Sequence, residues 1–356
     1  MNSIVDLNMM PRNDICNFVS KDHLCRGKPF NGLTGFPAEI KFYFRYNQQP
    51  IVKKTKYYLA AITAYSIWGL FSLVLKPLDH YSSVDILFYR VFSCAILLLL
   101  FVALFKRQAV RDTIATFNSL PSAQKRRVIL LNIAGSIFIT GNWFSFIYVL
   151  NHISIHAASL AYLVCPVLTT LLAFIFLKEK LSRIQWISVA LSITGCMLLS
   201  FASLLDLSFA VLVGFSYACY LVSQRMNTGF DKLIVLSVHI ILSSMILLPF
   251  FPAYGGHAPT SFTFYFYIEI MAVVFTIIPL FLNLYALTGL DSSTTGMLLN
   301  INPIIGFTVA TLVFNEPTTP LEVISYSIIL LAVIVFNAHM LFKSKDPAPG
   351  SIGKAV

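Results

Sequence analysis

The 356-residue chain is 57% hydrophobic and only 11% charged, with a mean hydropathy of +0.78; that excludes a water-soluble globule, whose charged fraction is about a quarter. So apolar a chain is solvated by lipid, and a bilayer core about 30 Å thick takes helices of roughly 20 apolar residues. The formal net charge of +10 would suggest nucleic acid in a soluble protein, so the placement of the cations has to decide its meaning.

Residues 1–52 are polar, mixed in charge and without an apolar run long enough for a signal peptide. In a gene that starts at a GTG codon Val52 would be the initiator, and KKTKYYLAA after it is an ordinary lead into a first membrane helix, so residues 1–51 are expected to precede the true start. A mass spectrum of the native amino terminus covering them would exclude that. Ten apolar segments follow, at about 57–78, 85–105, 128–150, 156–177, 184–202, 204–224, 233–251, 262–286, 291–314 and 320–342, before a tail at 343–356. The runs are continuous and far longer than the alternating strands of about ten residues that an outer-membrane barrel needs. The expected fold class is all-α integral membrane, with ten transmembrane helices.

Beyond the extension, the cations collect in the lead (Lys53, Lys54, Lys56), the second connection (Lys106, Arg107, Arg111, Lys125, Arg126, Arg127), the fourth (Lys178, Lys180, Arg183), the sixth (Arg225, Lys232) and the tail. The connections on the other side, 79–84, 151–155, 203, 252–261 and 315–319, contain no Lys or Arg. This asymmetry predicts both termini in the cytoplasm, so the charge reports orientation in the bilayer and calls for no nucleic-acid partner. The six cysteines, Cys16, Cys25, Cys94, Cys165, Cys196 and Cys219, form no CxxC pair and read as small apolar filler; no metal and no cofactor is expected.

LVCPVLTTLLAFIFLKE at 163–179 returns as NINPIIGFTVATLVFNE at 300–316, with Pro166 over Pro303 and Glu179 over Glu316. The offset of 137 also sets Phe144 on Phe281, Tyr148 on Tyr285 and Ile153 on Leu290. An odd number of spans per copy turns the second copy over, so the reading is two inverted five-helix repeats, 57–202 and 204–342, around a midplane site.

AYSIWGLFSLVLK at 64–76, DILFYRV at 85–91, TGNWFSFIYVLN at 140–151, ASLAYLVCPVL at 158–168, FLKEKLSRIQW at 176–186 and IIPLF at 277–281 resemble the RarD branch of the EamA-domain drug/metabolite transporters, in register over about 57–342. The resemblance implies a ten-helix transporter with two EamA repeats in the bacterial inner membrane; the branch carries a chloramphenicol-sensitivity label that fixes no physiological substrate. Where the family pattern tends to carry an acid before SLxY, this chain has Ala157, beside His156.

An ionisable side chain in hydrocarbon costs about 2.5–3.5 kcal/mol on insertion scales, so each one asks for a use. Arg90 lies about five residues into its segment and Glu269 about seven into its own, which puts both roughly 8–10 Å below the same surface. They are expected to face one cavity and to pair or to engage the charges of a zwitterionic or anionic substrate; the alternatives are snorkelling of Arg90 to the headgroups and an interfacial Glu269. Glu269 and His239 are candidates for proton coupling, with His239 otherwise a packing residue. Lys76 and His339, near helix ends, are read as snorkelling. Trp68, Asn142, Trp143, Tyr148, Tyr162 and Asn300 complete the candidate substrate site, each with a packing alternative, while Asn302 and Asn283 are read as interhelical hydrogen bonds. Glu179 and Glu316 are read as structural helix-end acids. Small residues four apart (Ala60 and Ala64, Ser136 and Thr140, Ser188 and Ser192) permit close helix approach.

HExxH, GxSxG and GxxxxGK[ST] are absent, which removes the usual signatures of membrane enzymes and ATP-driven pumps. A secondary transporter of small polar or amphipathic metabolites or drugs, exporting or exchanging, is the expected function; a receptor, scaffold or channel-like facilitator is the alternative. The expected partners are the lipid bilayer and a small-molecule substrate.

Overall fold

In the computed structural model, residues 54–342 are described apart from Ser154, residues 201–203 and His257. The extension at 1–52 with its candidate initiator Val52, the tail at 343–356, and the side chains of His156, Ala157 and His339 lie outside the described set.

Helix α1, Thr55–Gly69, continues through a short helix Phe71–Leu75 and a 3₁₀ turn Lys76–Leu78. Then come α2 (Ser83–Phe105), α3 (Arg107–Ser119), α4 (Ser122–His152), α5 (Ile155–Phe176), α6 (Arg183–Ser200) and α7 (Leu204–Met226). Helix α8 (Lys232–Leu247) is extended by Leu248–Phe250 and Phe251–Tyr254. Helices α9 (Phe262–Ala272) and α10 (Ile278–Ala286) are joined by a π turn, Val273–Ile277. Helices α11 (Ser292–Leu298), α12 (Ile301–Leu312) and α13 (Pro320–Phe342) complete the bundle. Among the described residues there is no strand.

Local chemistry sets many of the starts. Ser82 accepts from the Val84 amide before α2, and Asp231 accepts from the Leu233 and Ile234 amides before α8, filling donors that the first turn of a helix leaves open. Reciprocal capping boxes, Ser182 with Gln185 and Thr319 with Glu322, begin α6 and α13. Among the described residues, eight helical stretches are long and apolar enough to cross a membrane, Thr55–Leu78 and Phe262–Ala286 among them; Leu160–Phe176 and Arg183–Leu199 are shorter apolar helices. The outer surface suits lipid, with Phe105, Leu312 and Phe262 all largely exposed.

The 106–127 connection, read from sequence as a charged loop, contains the amphipathic helix α3, whose residues are all at least partly exposed. Arg107 and Arg111 lie on that helix, whose larger apolar residues are Val110, Ile114 and Phe117 at three- to four-residue spacing, while Lys125, Arg126 and Arg127 fall in the first turns of α4. The segment at 291–314 is broken: Leu299, Asn300 and Asn302 donate to the carbonyls of Gly296, Met297 and Leu299, three residues back. The missing N–H of Pro303 strands the Leu299 carbonyl four residues before it, and the Asn302 amide takes that carbonyl at 3.0 Å.

Packing joins segments far apart in sequence: α7 lies on α4 and α5, α1 on α10 and α12, α8 on α2 and α4, α9 on α2, α11 on α5, and α13 on α6. At the α1–α12 crossing a Cβ on Gly69 would meet the Ile305 side chain at 2.6 Å and the Asn302 carbonyl at 3.0 Å, so only glycine lets the two helices come this close.

Candidate functional site

A cavity of about 1200 Å³ enters the bundle from one end and reaches its middle. The first helix supplies Trp68, Phe71, Ser72 and Leu75, α2 supplies Ile86, Leu87 and Arg90, and α4 supplies Asn142, Trp143 and Phe146. Tyr162 of α5, Phe275 and Thr276 of the π turn, and Asn302, Gly306, Phe307 and Ala310 of α12 close the wall. These sets repeat at three- and four-residue spacing, as one face of a helix must. Asp79, Tyr81, Glu316 and Glu322 line the mouth; no described residue of the cation-bearing connections at 106–121, 177–182 or 227–231 does.

The floor is Tyr217 and Leu280. Beneath it Tyr65 donates to the Asn283 carbonyl oxygen at 2.7 Å, and the Asn283 amide donates to the Tyr217 hydroxyl at 3.2 Å. That chain ties α1, α10 and α7 with every side chain buried. The indole of Trp68 lies 5.8 and 6.0 Å from the Tyr65 and Tyr217 rings and donates to the Phe275 carbonyl at 2.8 Å. Thr276 donates to the Met271 carbonyl and Cys94 to that of Ala272, so three side chains serve carbonyls in and just before the π turn, where the regular bonding pattern changes.

Arg90 is the cation inside the cavity. Its guanidinium carbon lies 5.5 Å from the Trp143 ring centre and 5.8 Å from that of Phe71, and its Nε is buried without a hydrogen-bond partner. Asn142 donates to the Val213 carbonyl at 3.0 Å and to the Ser216 hydroxyl at 3.3 Å, linking α4 to α7 from the cavity wall. Tyr162 packs its ring 5.4 Å from that of Phe146. The structure therefore brings Arg90, Trp68, Asn142, Trp143 and Tyr162 of the sequence-expected set together.

Three members do not join them. Glu269 is exposed and accepts from Ser93 at 2.9 Å outside the cavity. Seven residues separate it from the cavity-lining Thr276, a same-face interval in an unbroken α-helix, but the extra residue of the π turn puts the faces on its two sides out of step by roughly 100°. Tyr148 is 47% exposed and stacks on His152 at 4.7 Å; Asn142, Trp143, Phe146 and Ile147 define the inward face of α4, and Tyr148 falls one residue past it. Asn300 is fully buried and away from the cavity, both side-chain polar atoms unpartnered. Asn302 lines the wall instead, because the tightened turn before Pro303 rotates the chain between the two amides.

His239 also lies off the cavity. It is 1% exposed, its Nδ1 is 3.5 Å from the Tyr220 hydroxyl, and its Nε2 faces the Gly135 backbone without a partner. Lys76 is exposed at the cavity mouth, 3.6 Å from Asp79. Among the described residues no cluster of three metal-ligating side chains occurs. The two repeat-related acids have different partners: Glu179 accepts from the amides of Ser292 and Ser293 at 2.8 and 2.9 Å and from the Ser293 hydroxyl at 2.6 Å, holding the start of α11, whereas Glu316 is exposed at the cavity mouth. Ser72 and Tyr217 were missed in the sequence; Ser72 falls four residues after Trp68, and that helical spacing was the signal available for it.

The EamA-like transporter family matches the chain twice, over residues 55–201 and 205–338. The chain belongs to that family. An uncharacterized transporter, YojE, of Bacillus subtilis (strain 168) is 30% identical over 300 residues, covering 82% of this chain and 95% of that protein. Protein RarD of Escherichia coli (strain K12) is 26% identical over 301 residues, covering 81% and 95%, and such relatives place this EamA protein in the RarD branch. A solved crystal structure superposes with a TM-score of 0.61 at 12% identity, covering 82% of this chain and 99% of that one, a likeness of fold. Family and helices together make the EamA protein a multi-pass bacterial membrane protein and a membrane transporter of the drug/metabolite superfamily.

Proposed function

We propose that this EamA protein is a secondary transporter that moves small amphipathic metabolites or drugs across the bacterial inner membrane by alternating access, as an exporter or exchanger. The carrying observation is the one-ended cavity: open between the cation-free connections, floored by the Tyr65–Asn283–Tyr217 chain, and backed at the opposite end by Glu179 on the start of α11. With the basic connections and both termini in the cytoplasm, the cavity faces outward. Ten crossings in two inverted units fit the packing. Shifting each helix by five crossings turns the α7–α4 contact into α1–α10, α7–α5 into α1–α12, and α8–α4 into α2–α9, all of which occur. A symmetric frame with one end shut and the other open is what exchange of the two halves' roles would invert.

The test is reconstitution in proteoliposomes followed by counterflow of labelled solutes chosen by comparing medium from cells with and without the gene. Accumulation in protein-containing vesicles only is expected. Saturable binding with no flux under any gradient would replace the transporter with a receptor.

A further inference from the structure

From the polarity of the cavity we infer that its substrate is an organic monoanion, one carboxylate or sulfonate on an aromatic or apolar body, seated with its anionic head on Arg90 and Ser72. The inference builds on the transport reading only in taking the cavity as the substrate site. Among the described residues, ion pairs join Lys76 to Asp79 and Arg225 to Asp291, the His80 ring lies 3.7 Å from Asp79, and none of these contacts involves Arg90. Glu269, the acid expected beside it, is engaged by Ser93 outside the cavity. Arg90 thus stands as an uncompensated cation in a wall of aromatic, aliphatic and a few neutral polar side chains, its Nε buried and unbonded. The Ser72 hydroxyl, also lining the cavity, is a second buried group without a partner. A guanidinium withdrawn from bulk water is stabilised strongly by an anion that accepts from it, and an unbonded hydroxyl lining the same cavity supplies one more donor.

The acids on the cavity are Asp79, Glu316 and Glu322, all at the mouth. Seven residues of α2 separate Arg90 from the mouth residue Ser83, roughly 10 Å of helix. An α-amino acid carries its ammonium within about one hydrogen-bond length of its carboxylate, so it would lie beside Arg90 and out of reach of those acids. A polyanion finds one cation inside, and at the entry Glu316 and Glu322 beside a Lys76 already paired with Asp79. A single negative charge on a flat body meets neither difficulty, and Trp68, Trp143, Tyr162 and Phe307 offer ring faces for that body.

The test uses the purified full chain, with quenching of intrinsic tryptophan fluorescence titrated by 3-phenylpropanoate, L-phenylalanine and 2-phenylethylamine at pH 8, three probes on one phenyl skeleton. At least tenfold tighter binding of 3-phenylpropanoate than of the other two is expected. Arg90→Gln should cost at least tenfold for the anion and leave the amine unchanged, Arg90→Lys should restore most of the loss, and Ser72→Ala should weaken the anion a few-fold. Equal affinities, tighter binding of phenylalanine or the amine, or an Arg90→Gln variant that still melts cooperatively and binds the anion undiminished would overturn the inference. Equal competition by chloride would also overturn it, by showing a small inorganic anion site. Flux of the same probes is read separately against protein-free liposomes: Arg90-dependent anion binding without flux sinks the transport reading alone, and flux of phenylalanine without anion preference sinks this inference alone.

Discussion

Asn283 shows how one side chain holds the cavity floor. Its amide accepts from Tyr65 and donates to Tyr217, fully buried among three helices. Asn283→Ala leaves two buried hydroxyls without that partner, and buried interhelical hydrogen bonds in membranes contribute about 0.6 kcal/mol each, up to about 1.7. A loss of roughly 1–2 kcal/mol is therefore expected, read as a lower midpoint of thermal or denaturant unfolding in detergent. A double-mutant cycle with Tyr65→Phe should show coupling, and strict additivity would mean the bond contributes nothing. The types and depth of Arg90, Trp68 and Asn142 were legible in sequence because polar or bulky residues inside an apolar run stand out. Whether a given one points inward was not. Asn300 and Asn302 are both amides next to Pro303, and the backbone geometry between them decides that Asn302 lines the cavity while Asn300 is sealed off.

At the scale of elements, the contact between the α5–α6 connection and α11 is the clearest candidate for a latch. Glu179 holds two backbone amides and one hydroxyl across the two halves of the chain, and hydrogen bonds to a charged group contribute about 1.5–3 kcal/mol each. Under the proposed alternating access with the cavity facing outward, Glu179→Ala should weaken closure at that end and so lower the share of molecules with the cavity open. The expected readout is several-fold slower reaction of an external maleimide with a Ser72→Cys variant lacking the native cysteines; an unchanged rate would show that closure does not depend on the latch. The acid itself was visible as half of a repeated pair, but its partners were not, since Ser292 lies 113 positions away. Helix α3 escaped notice for another reason: a short amphipathic helix lacks the long apolar run that marks a crossing.

For the molecule as a whole, the proposed inversion of the two units makes an orientation test simple. Thr288 and Thr318 are both exposed, in the connections after α10 and before α13. A cysteine at Thr318 should react with an impermeant maleimide added to intact spheroplasts, and one at Thr288 only after the membrane is opened. Reaction of both from outside would overturn the inverted arrangement and the outward direction of the cavity with it.

From its sequence alone the chain is legible as lipid-solvated, helical and built of two related halves. Those properties follow from composition and local spacing, because the cost of placing charge or open backbone in hydrocarbon applies to every residue separately. Only the tertiary structure decided which polar groups meet. The π turn at Val273–Ile277 rotates Glu269 away from Arg90, and the pairing of α2 with α8 and α9, and of α1 with α10 and α12, creates a cavity that no single helix contains. A rotation of roughly 100° per inserted residue leaves hydropathy unchanged while moving a side chain from substrate to lipid, which is why a depth read from sequence carries no facing.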